Sequence, residues 1–252
     1  MNRKVSLLMV MCAVVACSAI VQAEVVSFWS FESIEGGTVI NDQVGGVHLT
    51  LSGGGYGSSI VGGGQQAFGD GALKSGAGYC ATGNASSYSL DAGTLIFWIK
   101  DQSHLQYQRV MATHVRGSAV MDIQWNPDGQ LYVQGIPGQG SISGSADSAI
   151  ADGEWHKVAL TYSKAENKTR FYVDDKLVGQ GVYVGATTNT GFIHLGGSGS
   201  YSTNAGCYLD NASVFDTALT QEEITNYVPE PASLTLLAAC GLIATARRQR
   251  QK

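Results

Sequence analysis

Between Glu24 and Tyr227 no apolar pattern outlasts one short run before a cluster of Gly, Ser, Asn or Asp interrupts it. Such dense punctuation leaves no room for long helices, and the runs are rich in β-branched and aromatic residues, so they read as strands. Eleven are clear: Val25 to Phe31, Val47 to Leu51, Tyr79 to Thr82, Thr94 to Lys100, Arg109 to Val115, Ala119 to Trp125, Gln130 to Gln134, Trp155 to Tyr162, Thr169 to Val173, Phe192 to Leu195 and Cys207 to Phe215. Eleven strands and almost no helix imply an all-β fold of two stacked antiparallel sheets. Glycine supports this at 33 of 252 residues, about 13% against a usual 7%.

Local patterns sharpen the expectation. Val158, Leu160 and Tyr162 share one strand face, and Lys157, Thr161 and Ser163 the other. Thr94 to Lys100 is apolar on both parities, as a covered central strand is. Asn126-Pro127-Asp128-Gly129 lies between two runs and closes a hairpin, with proline fixing φ and glycine accepting a positive one. The single convincing helix start is Thr220-Gln221-Glu222-Glu223, a capping box flanked by Leu219 and Ile224 as a hydrophobic staple.

Both ends differ from this body. Asn2-Arg3-Lys4, the apolar run Val5 to Ala16 and Val21-Gln22-Ala23 form a signal peptide over residues 1–23, so the exported chain begins at Glu24. A lipidated start at Cys17, after Val14-Val15-Ala16, is the competing reading. Residues 228–252 carry Pro229-Glu230-Pro231, an uncharged stretch from Ala232 to Ala246, and a basic stop. Fifteen residues at 1.5 Å each reach about 23 Å, short of the ~30 Å hydrocarbon core, which makes this a marginal transmembrane helix. Its basic end would stay in the cytoplasm and leave the body outside. In their order, these pieces resemble the PEP-CTERM sorting signal of Gram-negative bacteria. That resemblance implies processing by an exosortase and delivery to the cell surface or extracellular matrix.

The formal charge of −5 understates the acidity of the body. Six of the 15 basic residues (Arg3, Lys4, Arg247, Arg248, Arg250, Lys252) and one of the 20 acidic ones (Glu230) lie in the ends, leaving nine against nineteen, a body charge of about −10. A body of that sign repels phosphate backbones and anionic lipid, which argues against nucleic-acid partners and confines membrane association to the tail.

The body residues resemble a family through Phe28-Trp29-Ser30-Phe31-Glu32, Thr94-Leu95-Ile96-Phe97-Trp98-Ile99, Gly153-Glu154-Trp155-His156-Lys157-Val158-Ala159, Arg170-Phe171-Tyr172-Val173-Asp174, and Tyr208-Leu209-Asp210-Asn211-Ala212-Ser213-Val214-Phe215 followed by Ala218-Leu219-Thr220. In order and spacing these are similar to the signatures of a laminin-G-like, concanavalin A-like jelly roll, which implies that fold over residues 24–227. Such domains carry Asp-Gly at the hairpin where this chain has Asp174-Asp175, leaving the turn type open.

Enzymes of that superfamily place carboxylates at alternate strand positions as Glu-x-Asp-x-Glu. The chain has no such pattern, no Gly-x-Ser-x-Gly elbow, no His-Glu-x-x-His and no phosphate-binding loop. The adjacent carboxylates Asp174-Asp175 and Glu222-Glu223 fit a turn and a helix start. His156, within a strand signature, reads as structural.

Three candidate sites remain. Asp210 has the strand parity of Ala212 and Val214, which points its carboxylate toward an apolar face where it needs a partner. The resemblance implies a structural Ca²⁺ shared by Glu32 and Asp210, with Asp42 as a further ligand; the alternative is that Asp210 accepts backbone N–H groups of a neighbouring loop. Cys80 and Cys207 are the two cysteines of the exported body, and either a disulfide or two buried thiols fits them. For stacking on a sugar ring, Trp29, Trp98 and Trp155 read as core, and Tyr132, Tyr183 and Tyr201 are lesser candidates beside the first choices, Trp125 and Tyr107. The expected function is an exported, non-catalytic module that binds glycan or an extracellular protein. The alternatives are a structural or adhesive matrix protein without sugar affinity and a diverged glycoside hydrolase.

Overall fold

A computed structural model describes residues 23–51, 59–75, 81–88, 91–103, 108–115, 118–134, 141–143, 150–183, 191–197 and 206–229. Residues 1–22, nearly all of the expected signal peptide, and the apolar span 232–246 lie outside the described residues. In chain order the strands are β1 (Val25–Trp29), β2 (Val39–Ile40), β3 (Leu49–Leu51), β4 (Ser59–Val61), β5 (Ala72–Lys74), β6 (Ala81–Asn84), β7 (Ala92–Ser103) and β8 (Arg109–Val115). They continue with β9 (Ser118–Trp125), β10 (Leu131–Gln134), β11 (Ser141–Ser143), β12 (Trp155–Ser163), β13 (Lys168–Val173), β14 (Lys176–Gly181), β15 (Gly191–Leu195) and β16 (Gly206–Phe215), and one helix, α1 (Gln221–Asn226), follows.

Two antiparallel sheets form a jelly-roll sandwich. Sheet A has the order β14-β13-β12-β7-β16-β5-β4 with β1 also on β16, and sheet B has the order β11-β10-β9-β8-β15-β6-β3-β2. Every clear run of the sequence is a strand, shifted at most by a few residues. The additional strands β2, β4, β5, β11 and β14 are short or glycine-bearing, so their alternation is too brief to read.

The core between the sheets is built from alternate residues. From sheet A it takes Leu95, Phe97, Ile99, Val158, Leu160 and Phe171; from sheet B it takes Met111, Ile123, Val133, Ile193 and Leu195. Trp29 joins them at 0% exposure, its indole N–H satisfied by the Val47 carbonyl at 2.9 Å. The opposite parity of β7 and β12 forms a second cluster on the outer face of sheet A. There Ile96, Ala159, Tyr172 and Phe215 are covered by Leu219 and Ile224. This explains the double apolar parity of β7, which is central in sheet A and buried on both sides.

The capping box holds the covering helix in place: the Thr220 hydroxyl accepts from the Glu223 N–H at 3.2 Å, and the Glu223 carboxylate accepts from the Thr220 N–H at 2.7 Å. Asn126 to Gly129 closes the β9–β10 hairpin, with Gly129 at φ +75° and the Asn126 side chain accepting from the Asp128 and Gln130 N–H groups at 3.0 and 2.9 Å. At the β13–β14 hairpin, Asp174 and Asp175 have φ +46° and +66°, the two positive values of a type I′ turn.

One expectation about strand faces is corrected. β16 carries a bulge between Asp210 and Ser213, with Asn211 at φ +45°. The extra residue flips the parity, so Cys207, Leu209, Ala212 and Val214 all enter the core. Asp210 therefore lies opposite Ala212 and Val214, on the outer side with Tyr208 and Phe215.

Candidate functional site

Register assembles a polar set of residues on the outer face of sheet B. Register aligns Gln134, Asp122, Ala112, His194, Thr82 and Thr50 as one row across β10, β9, β8, β15, β6 and β3. Alongside runs a second row, Tyr132, Gln124 and Arg109. Their strand neighbours Ile123, Val133, Ile193 and Leu195 are core residues, so alternation turns Asp122, Gln124, Tyr132 and His194 to the outer side.

The side chains on this face bind one another. Asp122 is 1% exposed and receives Arg109 Nε at 2.7 Å and, more weakly, Gln124 Nε2 at 3.4 Å. The Tyr132 hydroxyl donates to Gln124 Oε1 at 2.8 Å. His194 Nδ1 lies 2.9 Å from the Thr82 hydroxyl. Beside it Phe192 is 44% exposed, its ring 6.3 Å from the His194 ring. A buried charge is costly unless paired, so the Arg109–Asp122 pair fixes the geometry of this row. Gln124 and His194 are buried as well, at 3% and 7% exposure, so the groups that reach solvent on this face are the exposed Phe192 ring and, in part, Thr82, Arg109 and Tyr132. Among its described strand residues Asp122 is the one carboxylate.

Neither first-choice aromatic from the sequence is placed on that face. Trp125 is 0% exposed and belongs to the core between the sheets, a correction that follows from parity: it alternates with Gln124 and falls on the Ile123 side. Tyr107 and Tyr201 lie outside the described residues. Tyr132 is on the face, while Tyr183 packs against Tyr162, ring to ring at 6.5 Å. Phe192, His194, Asp122, Gln124 and Arg109 were missed by sequence reasoning. Their signal is the alternation Asp122-x-Gln124 and Phe192-x-His194, which acquires meaning only once the inward parity of each strand is known.

Of the three carboxylates considered for calcium, two come together. Asp210 Oδ2 accepts the Ala67 and Phe68 N–H groups at 2.8 and 2.9 Å. Glu32 Oε2 accepts the Asp70 N–H of the same loop at 2.7 Å. Burial, reinforced by the Glu32 charge, pushes the Asp210 carboxyl up to about 7 against the N–H groups that favour its ionised form. Asp42 is elsewhere, its oxygens accepting the Phe28, Val44 and Val47 N–H groups at 2.9, 3.0 and 2.9 Å. Burial opposes its charge, but these bonds and the Ser27 hydroxyl hold its carboxyl below the usual value. Among the described residues no three His, Cys, Asp or Glu side chains converge as metal ligands. Cys207 is a buried free thiol, and Cys80 lies outside the described residues.

His156 is structural in its setting. Its Nδ1 lies 2.8 Å from Asp174 and its Nε2 3.0 Å from Asp152. Asp174 above all, then Asp152, raises the imidazole to about 9 against the opposing effect of burial.

Residues 74–225, more than half of the chain, match the Laminin_G_3 family, described as the concanavalin A-like lectin/glucanases superfamily. The chain belongs to that superfamily. Residues 228–251 match the PEP-CTERM protein-sorting motif; Pro229 is its last described residue, and Glu230 and Pro231 lie beyond. No curated protein matches the chain. Solved structures share the superfamily fold at low identity. The sialidase of Trypanosoma rangeli, in complex with 2,3-difluorosialic acid, is 17% identical with a TM-score of 0.62, over 80% of this chain and 32% of that one. Domain 4 of AbnA, a GH43 extracellular arabinanase from Geobacillus stearothermophilus, in complex with arabinotriose, is 16% identical with a TM-score of 0.61, over 81% of this chain and 98% of that domain. The binding domain of Paraclostridial Mosquitocidal Protein 1 is 16% identical with a TM-score of 0.56, over 80% of this chain and 51% of that one. This chain therefore spans about a third of the sialidase, and it matches the arabinanase domain almost end to end.

Proposed function

We propose that this is an exported, non-catalytic carbohydrate-binding module whose ligand lies on the outer face of sheet B. The observation that carries the reading is the exposed Phe192 ring beside His194, on the face where the half-buried Thr82, Arg109 and Tyr132 also lie. A pyranose or furanose ring presents an apolar face that stacks on an aromatic and a rim of hydroxyls that pairs with polar groups such as these. The near-complete match to a single domain of a larger enzyme, found in complex with arabinotriose, supports a module more than a whole hydrolase. Glycoside hydrolysis commonly needs two carboxylates some 5–9 Å apart. On the described strands of this face Asp122 is alone, and it is held in an ion pair with Arg109. The sorting motif supports exosortase-dependent delivery to the surface of a Gram-negative cell.

A structural calcium ion belongs to the same proposal, with Glu32 and Asp210 as its ligands. Glu32 and Asp210 both bond the Ala67–Asp70 loop, and Asp210, pushed up to about 7 chiefly by burial and less by the Glu32 charge, would ionise more readily beside a cation. Asp42 is left out because it bonds Phe28, Val44 and Val47, away from the Ala67–Asp70 loop that Asp210 and Glu32 share.

Glycan-array binding by the fragment Glu24–Tyr227, with calcium and again with a chelator, tests the reading. Saturable binding that falls about two- to tenfold in Phe192→Ala is the expected result, matching the 0.5–1.5 kcal/mol of one stacked aromatic. Silence in both conditions, with the fragment folded, would remove the carbohydrate function.

A further inference from the structure

We propose that, while the tail holds the domain, the outer face of sheet A lies toward the lipid bilayer and the outer face of sheet B points away from it. The inference rests on sheet B as the ligand face only for its functional meaning; its evidence is the placement of the chain ends. Both ends are knitted into one apolar cluster on sheet A. Ala23, Val25 and Tyr227 all pack against the cluster that contains Ile96, Phe215 and Ile224. The Glu24 N–H donates to Asp216 Oδ1 at 3.2 Å, and the Asp216 N–H donates to the Glu24 carbonyl at 3.2 Å. At the other end, the Tyr227 ring meets Phe215 edge-on at 5.1 Å and its hydroxyl bonds Ser213 at 2.6 Å. Lys157 Nζ ties α1 down by donating to the Ile224 carbonyl at 2.9 Å.

The folded chain is thus fixed through Tyr227, and the apolar stretch begins at Ala232. Five residues at 3.3–3.6 Å each reach at most about 18 Å. Pro229 and Pro231 fall within that short connection and fix two of its φ angles, which limits how far the domain can swing. Before signal removal the N-terminal apolar run would leave from the same cluster, since Ala23 packs on it as Tyr227 does. Charge does not hold this face to lipid: Glu222 and Glu223 lie on it, and the body is acidic. Chain connectivity does. Sheets pack about 10 Å apart, so the outer face of sheet B stands at least that much farther from the bilayer.

The chain Glu24–Lys252, with Cys80→Ser and Cys240→Ser, would be reconstituted through its tail in phosphatidylcholine vesicles containing headgroup-nitroxide lipid. A fluorophore would be placed at Thr225→Cys on α1 or at Thr50→Cys on β3; both positions are exposed, and Cys207 is buried. Quenching at least about threefold stronger at Thr225 than at Thr50 is expected from the added sheet spacing, and a flexible Gly-Ser insertion between Val228 and Pro229 should erase the difference. Equal quenching, stronger quenching at Thr50, or a difference that survives the insertion would overturn the proposal. Sugar binding by the Thr225→Cys preparation, whose label is off the ligand face, reports separately on that face, so the two readings fail independently.

Discussion

Replacing His156 by alanine should destabilise the domain at pH 6 and have a much smaller effect at pH 10. The imidazole sits between Asp174 and Asp152 at 2.8 and 3.0 Å, which raises it from 6.5 to about 9. A base whose folded value is raised contributes stability that is complete below about 6.5 and is lost as the pH climbs through about 9. At 1.36 kcal/mol per pH unit the full difference corresponds to roughly 3 kcal/mol. The partners Asp152 and Asp174 are 48% and 49% exposed, however. Solvent screening of such half-exposed partners reduces the effect to about 1–2 kcal/mol. Urea unfolding of wild type and His156→Ala at pH 6 and pH 10 measures it. An equal loss of stability at both pH values would refute the argument, because the missing contribution would then be packing and not charge. The aspartates act in the opposite range: both lie below the usual carboxylate value, so their share is present at neutral pH and is lost in acid.

Trp125→Ala removes a fully buried side chain and should cost about 3–5 kcal/mol in urea unfolding; a loss under about 1 kcal/mol would mean that the indole is a surface platform after all. Asp42→Ala leaves the N–H groups of Phe28 and Val47 without their acceptor in a buried setting, at roughly 2–5 kcal/mol. Its protective effect should fade below the usual carboxylate range, because its folded value is depressed. Calcium at a hundred times its dissociation constant should stabilise the protein by about 2.7 kcal/mol and raise Tm. Affinity should grow as the pH rises through about 7, where Asp210 ionises, and Asp210→Asn should abolish the shift; a Tm indifferent to calcium and chelator would remove the metal.

Runs of β-branched and aromatic residues identified strands because each must bury one face, and burial writes itself into alternation. The reading worked best where the pattern was longest, at β7, β12 and β16, and it failed at β4 and β5, whose three residues each carry too little pattern to detect. Thr220 to Glu223 was readable for a different reason, because a capping box is local chemistry within four residues. The Asp174-Asp175 turn was half legible. Two consecutive positive φ values are required there, and aspartate tolerates them less cheaply than glycine; bonds from His156 and the Lys157 N–H to Asp174 compensate.

The site was hidden because alternation fixes which residues share a face only until a bulge intervenes. β16 shifts register at Asn211 and β8 shifts between Arg109 and Met111. The first shift moved Asp210 to the outer side, and the second places Val110 and Met111 both in the core while Arg109 reaches Asp122. Neither bulge has a glycine to announce it. The polar row itself draws on the consecutive β8, β9 and β10 and on β15, β6 and β3, which come from distant parts of the sequence and join it only by register. In a sandwich of this kind the core is written along each strand, where a period of two suffices to read it. A binding face is written across the strands, and no window along the chain contains it. Trp125 and Phe192 illustrate the consequence: the larger aromatic looked like the platform and fills the core, while the smaller one, two residues from His194, is the ring exposed on the face.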